Sequence, residues 1–297
     1  GFVTTDRMTA QLSVPAEGRG TSPSAAALMA ITAELRDTPG VRAAAISTYQ
    51  PLRGYPSSAQ IRVEGRDKSV DAWAGAMEAG FLTTIGATFA AGRDFDERDT
   101  ANSAPAAIVN EAFVVRYLDG NMAGAVGRVL DVTWDTDERA MRRVVGVVRT
   151  LRTGGYDTDS RAELFAPLTQ STLPSYLYVA ADTRVPASTM RAVLLDAARR
   201  QFALPVVDAV EPMTTVVDAA FARPRFAVWL FSAFAGIAGL LAMGGLATAM
   251  GWSVAQRRRE IAIRTALGAS SAATVGLVLR QALTMTAVGV VAGLAAA

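Results

Sequence analysis

Four carboxylates within six positions, Asp94, Asp96, Glu97 and Asp99, form the densest group of potential cation ligands in the sequence. Their spacing resembles a calcium loop, but Arg98 occupies the fifth loop position and no glycine follows, so the EF-hand pattern fails. A solvated acidic turn beside a helix is the expectation instead. The chain has no Cys and no His, which removes disulfides, His-based catalysis and His or Cys metal sites. Its single lysine, Lys68, lies in Gly65-Arg66-Asp67-Lys68-Ser69, which is no phosphate-binding loop. Gly18-Arg19-Gly20 lacks a third glycine and sits in a Ser/Pro-rich stretch, so it reads as a turn. No serine lies in a nucleophile-elbow pattern. These residues offer no route to ATP hydrolysis, no enzyme chemistry and no cofactor site.

One short segment can do mechanical rather than covalent work. Arg257, Arg258 and Arg259 are followed by Glu260, and Glu260 and Arg264 stand in the favourable i,i+4 order for a short helix. Ile263 and Leu267 share a face, Gly268 is placed to end the helix, and Ser270 or Ser271 can cap the next one. The apolar face needs a cover. Either a partner protein supplies it, or the helix lies on lipid with its arginines as anchors.

The element that positions this segment is the uncharged run from Phe226 to Gln256, 31 residues between Arg225 and Arg257. A bilayer core needs roughly 20 helical residues, and this run spans about 46 Å as a straight helix. It predicts a transmembrane helix continued by a stalk. A second apolar run, Gln281 to Ala297, predicts the start of another spanning helix in which the sequence stops. Between the runs lie five arginines and one acid, and short basic loops stay in the cytoplasm. Residues 1–225 are then extracytoplasmic. They carry a net charge of −2 against +4 for the other 72, so the high overall pI does not describe a nucleic-acid binder. Ala235/Gly239 and Gly245/Ala249 put small residues at i,i+4, and Gly289 and Gly293 form G-x-x-x-G. Close helix packing is one reading; ordinary abundance of Gly and Ala is the other.

Within residues 1–225 the patterns predict two strand–helix–strand units. The first is a strand from Met8 to Val14, a helix capped by Ser22-Pro23 with Leu28, Ile31 and Leu35 inward, and a strand from Val41 to Ser47. The second is a strand from Tyr176 to Ala181, a helix from Ser188 to Phe202, and a strand from Val206 to Val210. Two such units can pair into one sheet with helices on one face. The intervening stretch predicts short strands at 59–64, 104–109, 129–134 and 143–148, and a short helix capped by Asn110 with Phe113 and Tyr117 on one face.

The stretch VAQRRREIAIRTALGAS (Val254 to Ser270) resembles the signature after the second spanning helix of MacB/FtsX-type ABC transporter permeases. AAGRDFDERD (Ala90 to Asp99), AAIVNEAFVVRYL (Ala106 to Leu118) and RRVVGVVRTLR (Arg142 to Arg152) are similar to the periplasmic core domain of those proteins, above all bacterial orphan permeases. Gly1-Phe2 looks like the residues just after a first spanning helix. The chain departs from the family pattern at Ala262 and Thr265.

The resemblance implies an α+β periplasmic domain followed by transmembrane α-helices, in a multi-pass protein of the bacterial inner membrane. A porter-like α/β subdomain would comprise residues 1–55 and 169–215, with a β-rich insertion at 56–168. Residues 216–256 would form stalk and transmembrane helix, 257–270 the cytoplasmic coupling segment, and 271–297 the start of the next span. Arg258, Arg259, Glu260, Ile263, Arg264, Leu267 and Gly268 would then contact an ABC ATPase subunit. Gly239, Gly245, Gly289 and Gly293 would pack helices. The other implied partners are a second permease half, as a homodimer or a duplicated chain, membrane lipid, and a periplasmic adaptor or outer-membrane duct. A rival class is a membrane-anchored scaffold or signalling protein that docks periplasmic partners without ATP; an ATPase that co-purifies would separate the two.

Overall fold

The computed structural model describes residues 3–14, 22–50, 57–63, 68–134, 139–151 and 161–256, together with positions 259, 263, 283, 289, 291 and 293. The chain divides into two compact units, Gly1–Arg223 and Pro224–Ala297.

The elements run in this order: β1 Arg7–Ser13, α1 Ala25–Arg36, β2 Val41–Ser47, β3 Ser57–Arg62, β4 Val70–Met77, α2 Phe81–Thr84, β5 Phe89–Gly92, β6 Ala106–Asn110, α3 Glu111–Tyr117, α4 Met122–Ala125, β7 Val129–Thr133, β8 Arg139–Val148, β9 Glu163–Pro167, a 3-10 turn Leu168–Gln170, β10 Tyr176–Thr183, α5 Ala187–Gln201, β11 Val206–Pro212 and α6 Met213–Gln256.

The two strand–helix–strand units interleave. Strand order begins β11-β1-β10-β2, with β10 antiparallel to both β1 and β2. Both helices cover one face. Leu28, Ile31 and Leu35 of α1 and Met190, Leu194 and Ala197 of α5 are buried with Leu12, Leu177, Val179 and Ile46 of the strands. The sequence places these elements within one or two residues. The cap differs: Ser24 rather than Ser22 precedes α1, and it makes no side-chain cap bond.

The other strands continue the order as β4-β3-β7-β8-β6-β9. Strand β9 also pairs with β4, so these six strands close on themselves. Closure removes sheet edges, and every strand then has an inner face to fill. That interior holds Ala59, Ile61, Ala72, Ala74, Val109, Leu130, Val132 and Leu164, capped by Phe113 and Val114 of α3. Alanine on several strands suits a ring of only six. Asn110 caps α3 as its position predicts, accepting the Phe113 N–H at 2.9 Å, and the Phe113 and Tyr117 rings meet edge to face at 5.2 Å. Strand β5 adds to β8 outside the ring, where Gly92 stands opposite Gly146. A Cβ on either would collide with the facing backbone, which is the reason glycine stands at both.

The sequence reading has no place for β4, β5 and β9. β4 (VDAWAGAM) and β9 (ELFAP) are buried on both faces over most of their length, so the alternation that reveals a strand is missing. The acidic turn also differs from expectation. Asp99 is buried and holds Arg93 in a two-pronged ion pair with contacts of 2.6 and 3.0 Å. Its Oδ2 also accepts the Asp96 N–H. The turn is therefore a tied corner after β5 rather than a solvated helix flank.

In the second unit, Val228–Trp252 of α6 is, among the described residues, the helix long and apolar enough to cross a membrane, with mean hydropathy 1.9. Phe226, Trp229, Phe231, Phe234, Leu240, Leu241 and Trp252 are all exposed. An apolar surface on all sides of a helix fits lipid and not water.

Candidate functional sites

The two groups of strands in the first unit join at one point. Strand β2 pairs with β10 along its length, yet its pairing with β4 is the single step Ser47↔Met77. At Thr48 the chain swings from β10 to β4: the Thr48 N–H donates to the Ala76 carbonyl and the Glu78 N–H to the Ile46 carbonyl, both at 2.9 Å. Side chains reinforce the joint. The Ser47 hydroxyl donates to the Ala76 carbonyl at 3.1 Å, and Thr48 Oγ1 accepts the Ala76 N–H at 2.9 Å.

Glu78 ties the joint to α1. It is 3% exposed. Its carboxylate accepts the Thr32 hydroxyl at 2.8 Å, the Ile46 N–H at 3.1 Å and Arg36 at 3.0 Å. Burial raises its pKa, and the Thr32 bond and the Arg36 charge oppose that rise without cancelling it. Glu78 thus connects the helix of one half to the last strand residue of the other. Beside the joint a third apolar cluster spans both halves, with Ala45 and Ala180 packed near Met77, Phe81, Ile108 and Phe165.

The fork where β10 and β4 part is a cleft of about 770 Å³. Thr48 and Ala76 line it at the joint, Tyr176 and Tyr178 on the β10 side, and Trp134 and Ser57 on the ring side. Trp134 is half-buried and packs against both the interleaved core and the ring core. Below it, Arg142 is buried and donates to the carbonyls of Ala106 and Gln170 at 3.3 and 2.9 Å. Gln170 in turn accepts the Ala106 N–H and donates to Thr100 and Ser103, so this wall is cross-linked by hydrogen bonds. Sequence reasoning singled out neither Glu78 nor the cleft. The signal for Glu78 was a lone acid between two apolar stretches. The cleft is assembled from residues far apart in the chain and had no local signal.

Of the residues expected to form the coupling segment, Arg259 and Ile263 are helical and exposed. Arg258, Glu260, Arg264, Leu267 and Gly268 lie outside the described residues. Gly239, Gly245, Gly289 and Gly293 are helical, and a Cβ on any of them would meet nothing within 4 Å. The structure thus brings no described part of the chain against these four positions.

Comparison with known families matches residues 2–197 to the MacB-like periplasmic core domain and residues 232–297 to the FtsX-like permease C-terminal domain. The first match alone covers more than half of the chain. The chain belongs to the MacB/FtsX-type permease family.

As a MacB/FtsX-type permease it is the membrane component of an ABC transporter, in a family that typically works with ABC ATPase partners. Family membership and the apolar helix make it an inner-membrane protein with a periplasmic α/β domain. Among solved structures, a domain of a permease protein of Porphyromonas gingivalis is 16% identical, covering 71% of this chain and 93% of that one, with TM-score 0.47. The periplasmic region of MacB from Actinobacillus actinomycetemcomitans is 14% identical, covering 73% and 94%, with TM-score 0.47. The extracellular domain of YknZ, an ABC-type transporter from Gram-positive bacteria, is 14% identical, covering 68% and 100%, with TM-score 0.43. No curated protein matches the chain.

Proposed function

We propose that this permease turns ATP hydrolysis by a partner ATPase into a conformational change of its periplasmic domain. The coupling segment is Arg257 to Gly268, and the apolar helix that ends at Gln256 transmits its movement. The domain then pushes or releases a substrate or protein partner on the periplasmic side, with no passage through this chain. A second permease half, as a homodimer or duplicated chain, completes a multi-pass assembly. A periplasmic adaptor or outer-membrane duct is the natural receiver of the movement. The division into a porter-like part (1–55 and 169–215) and an insertion (56–168) belongs to the same reading.

The observation that carries this reading is Ile263. It is helical, 56% exposed, and stands in a basic segment directly after the span, so an apolar contact is on offer where a cytoplasmic partner would meet it. The test is Leu267→Asp in the full permease reconstituted with its ATPase. A charge on that face abolishes stimulation of ATPase activity by the permease while membrane insertion is retained. Stimulation equal to wild type in the variant would sink the coupling role.

A further inference from the structure

We propose that the fork between β10 and β4 binds an extended peptide segment that bears an aromatic side chain and no net positive charge, added as a short strand beside Tyr176. Three independent features converge there.

The first is a strand edge that is open among the described residues. Along a strand, the main-chain groups of successive residues point to opposite sides. The Ser175 carbonyl accepts from Val14 on the β1 side at 2.9 Å, so the N–H and carbonyl of Tyr176 point to the other side. Pairing of β10 with β2 starts only at Tyr178↔Ser47, because Thr48 has turned away to bond Ala76. Among the described residues, no strand lies against Tyr176 on that side. A peptide that donates and accepts there continues the sheet where β2 leaves it, which is how strand addition gains its affinity.

The second is the lining. Trp134, Tyr176 and Tyr178 offer ring surface, Thr48, Ser57 and Thr172 offer hydroxyls, and Arg142, tied to the Ala106 and Gln170 carbonyls, adds a positive charge that disfavours a cationic ligand. Hydroxyls both donate and accept, as peptide amides do, and carry no charge. Rings with polar edges suit an aromatic side chain. The cleft volume lies within the range of roughly 300–1,000 Å³ that holds a ligand of a few residues.

The third is position. The cleft straddles the one-step joint Ser47↔Met77, with one wall from each half. A peptide seated in it touches both halves and holds their angle. Binding requires no ATPase, so this proposal and the coupling reading fail separately.

The test uses the full permease in lipid nanodiscs, panned against a random heptapeptide display library, with the Trp134→Ala permease for counter-selection. The expected result is enrichment of peptides with an aromatic residue and without net positive charge. A synthetic copy of an enriched peptide loses at least tenfold in affinity for Trp134→Ala. N-methylation of alternate amides along it also costs at least tenfold, while methylation of the intervening amides leaves binding unchanged. N-methylation alters the ligand and not the protein, so it reads strand addition even if the Trp134 variant folds poorly. Three results would overturn the proposal: no peptide that distinguishes wild type from Trp134→Ala, equal binding of both methylated series, or displacement by free 2-naphthol at the peptide's own concentration, which would mark a site for small aromatics.

Discussion

The interleaved half and the ring half of the periplasmic unit bury their sheets by different means. Strands β1, β2, β10 and β11 lay one face under α1 and α5, whose apolar stripes supply the cover. The ring supplies its own cover by closing β9 onto β4, and needs α3 only as a plug. One arrangement has β11 at its edge among the described residues and packs its second face in the shared third cluster. The other leaves no edge among its six strands. The contrast puts the fewest ties of the unit between its halves. Each half is buried around its own core, and the joint between them is one residue pair, two flanking backbone hydrogen bonds, a few side-chain bonds and a shared apolar cluster.

A large-to-small change in one core separates the halves directly. Phe113 is fully buried in the ring interior. Phe113→Ala leaves a cavity that costs about 3–5 kcal/mol. If the halves open as separate units, amide hydrogen exchange rises throughout β3, β4, β6 and β7 while β1 and β10 keep their protection. Leu194→Ala in α5, at about 2–5 kcal/mol, gives the mirror result. Exchange that rises equally in both halves for either variant would show that the joint transmits unfolding and that the comparison is wrong.

Glu78 sharpens the joint at a smaller scale. Its folded pKa is raised, so the folded state holds the proton more tightly than the unfolded chain does. Its titration therefore contributes stability fully below the ordinary value of 4.5, and that contribution is lost as pH rises through the higher folded value. Glu78→Gln keeps an acceptor for Ile46 and cannot ionise. Protection of the amides near Ser47 and Met77 should fall in wild type from pH 4.5 upward and stay flat in the variant. A wild-type profile flat over the same window would remove ionisation of Glu78 from the joint.

The same contrast explains what could be read from residues. The α1 and α5 stripes repeat at helical spacing, and β2 and β11 lie next to clear turn signals, so the interleaved half was legible almost to the residue. In the ring, β7 and β8 alternate because one face meets solvent, and they too were legible, although β8 begins earlier than its apolar residues suggest. β4 and β9 are covered on both sides and carry no alternation. Tertiary pairing creates them, through Trp73↔Glu163 to Met77↔Pro167, and no local pattern reports it. The apolar span was legible for a different reason: charge and apolar length are properties of the chain itself. The cleft depends on Thr48, Trp134 and Tyr176 meeting across the fold, and Glu78 on three elements converging, so neither had a signature in one stretch of sequence.

The smallest effect tests why the halves differ in their helix ends. In the ring, α4 is four residues long, and Asn121 caps it by accepting the Gly124 N–H at 2.9 Å. In the interleaved half, α1 has twelve residues and its cap position, Ser24, makes no side-chain bond. A short helix gains little from propagation and depends on its ends, whereas a long one is held by the face it packs. Asn121→Ala should therefore cost about 1 kcal/mol, read as faster exchange of the Gly124 and Ala125 amides. Ser24→Ala should cost only a few tenths, about what an exposed residue without a bond contributes. Equal costs at the two positions would mean that Ser24 does cap α1 in solution, and that both halves depend on their helix ends alike.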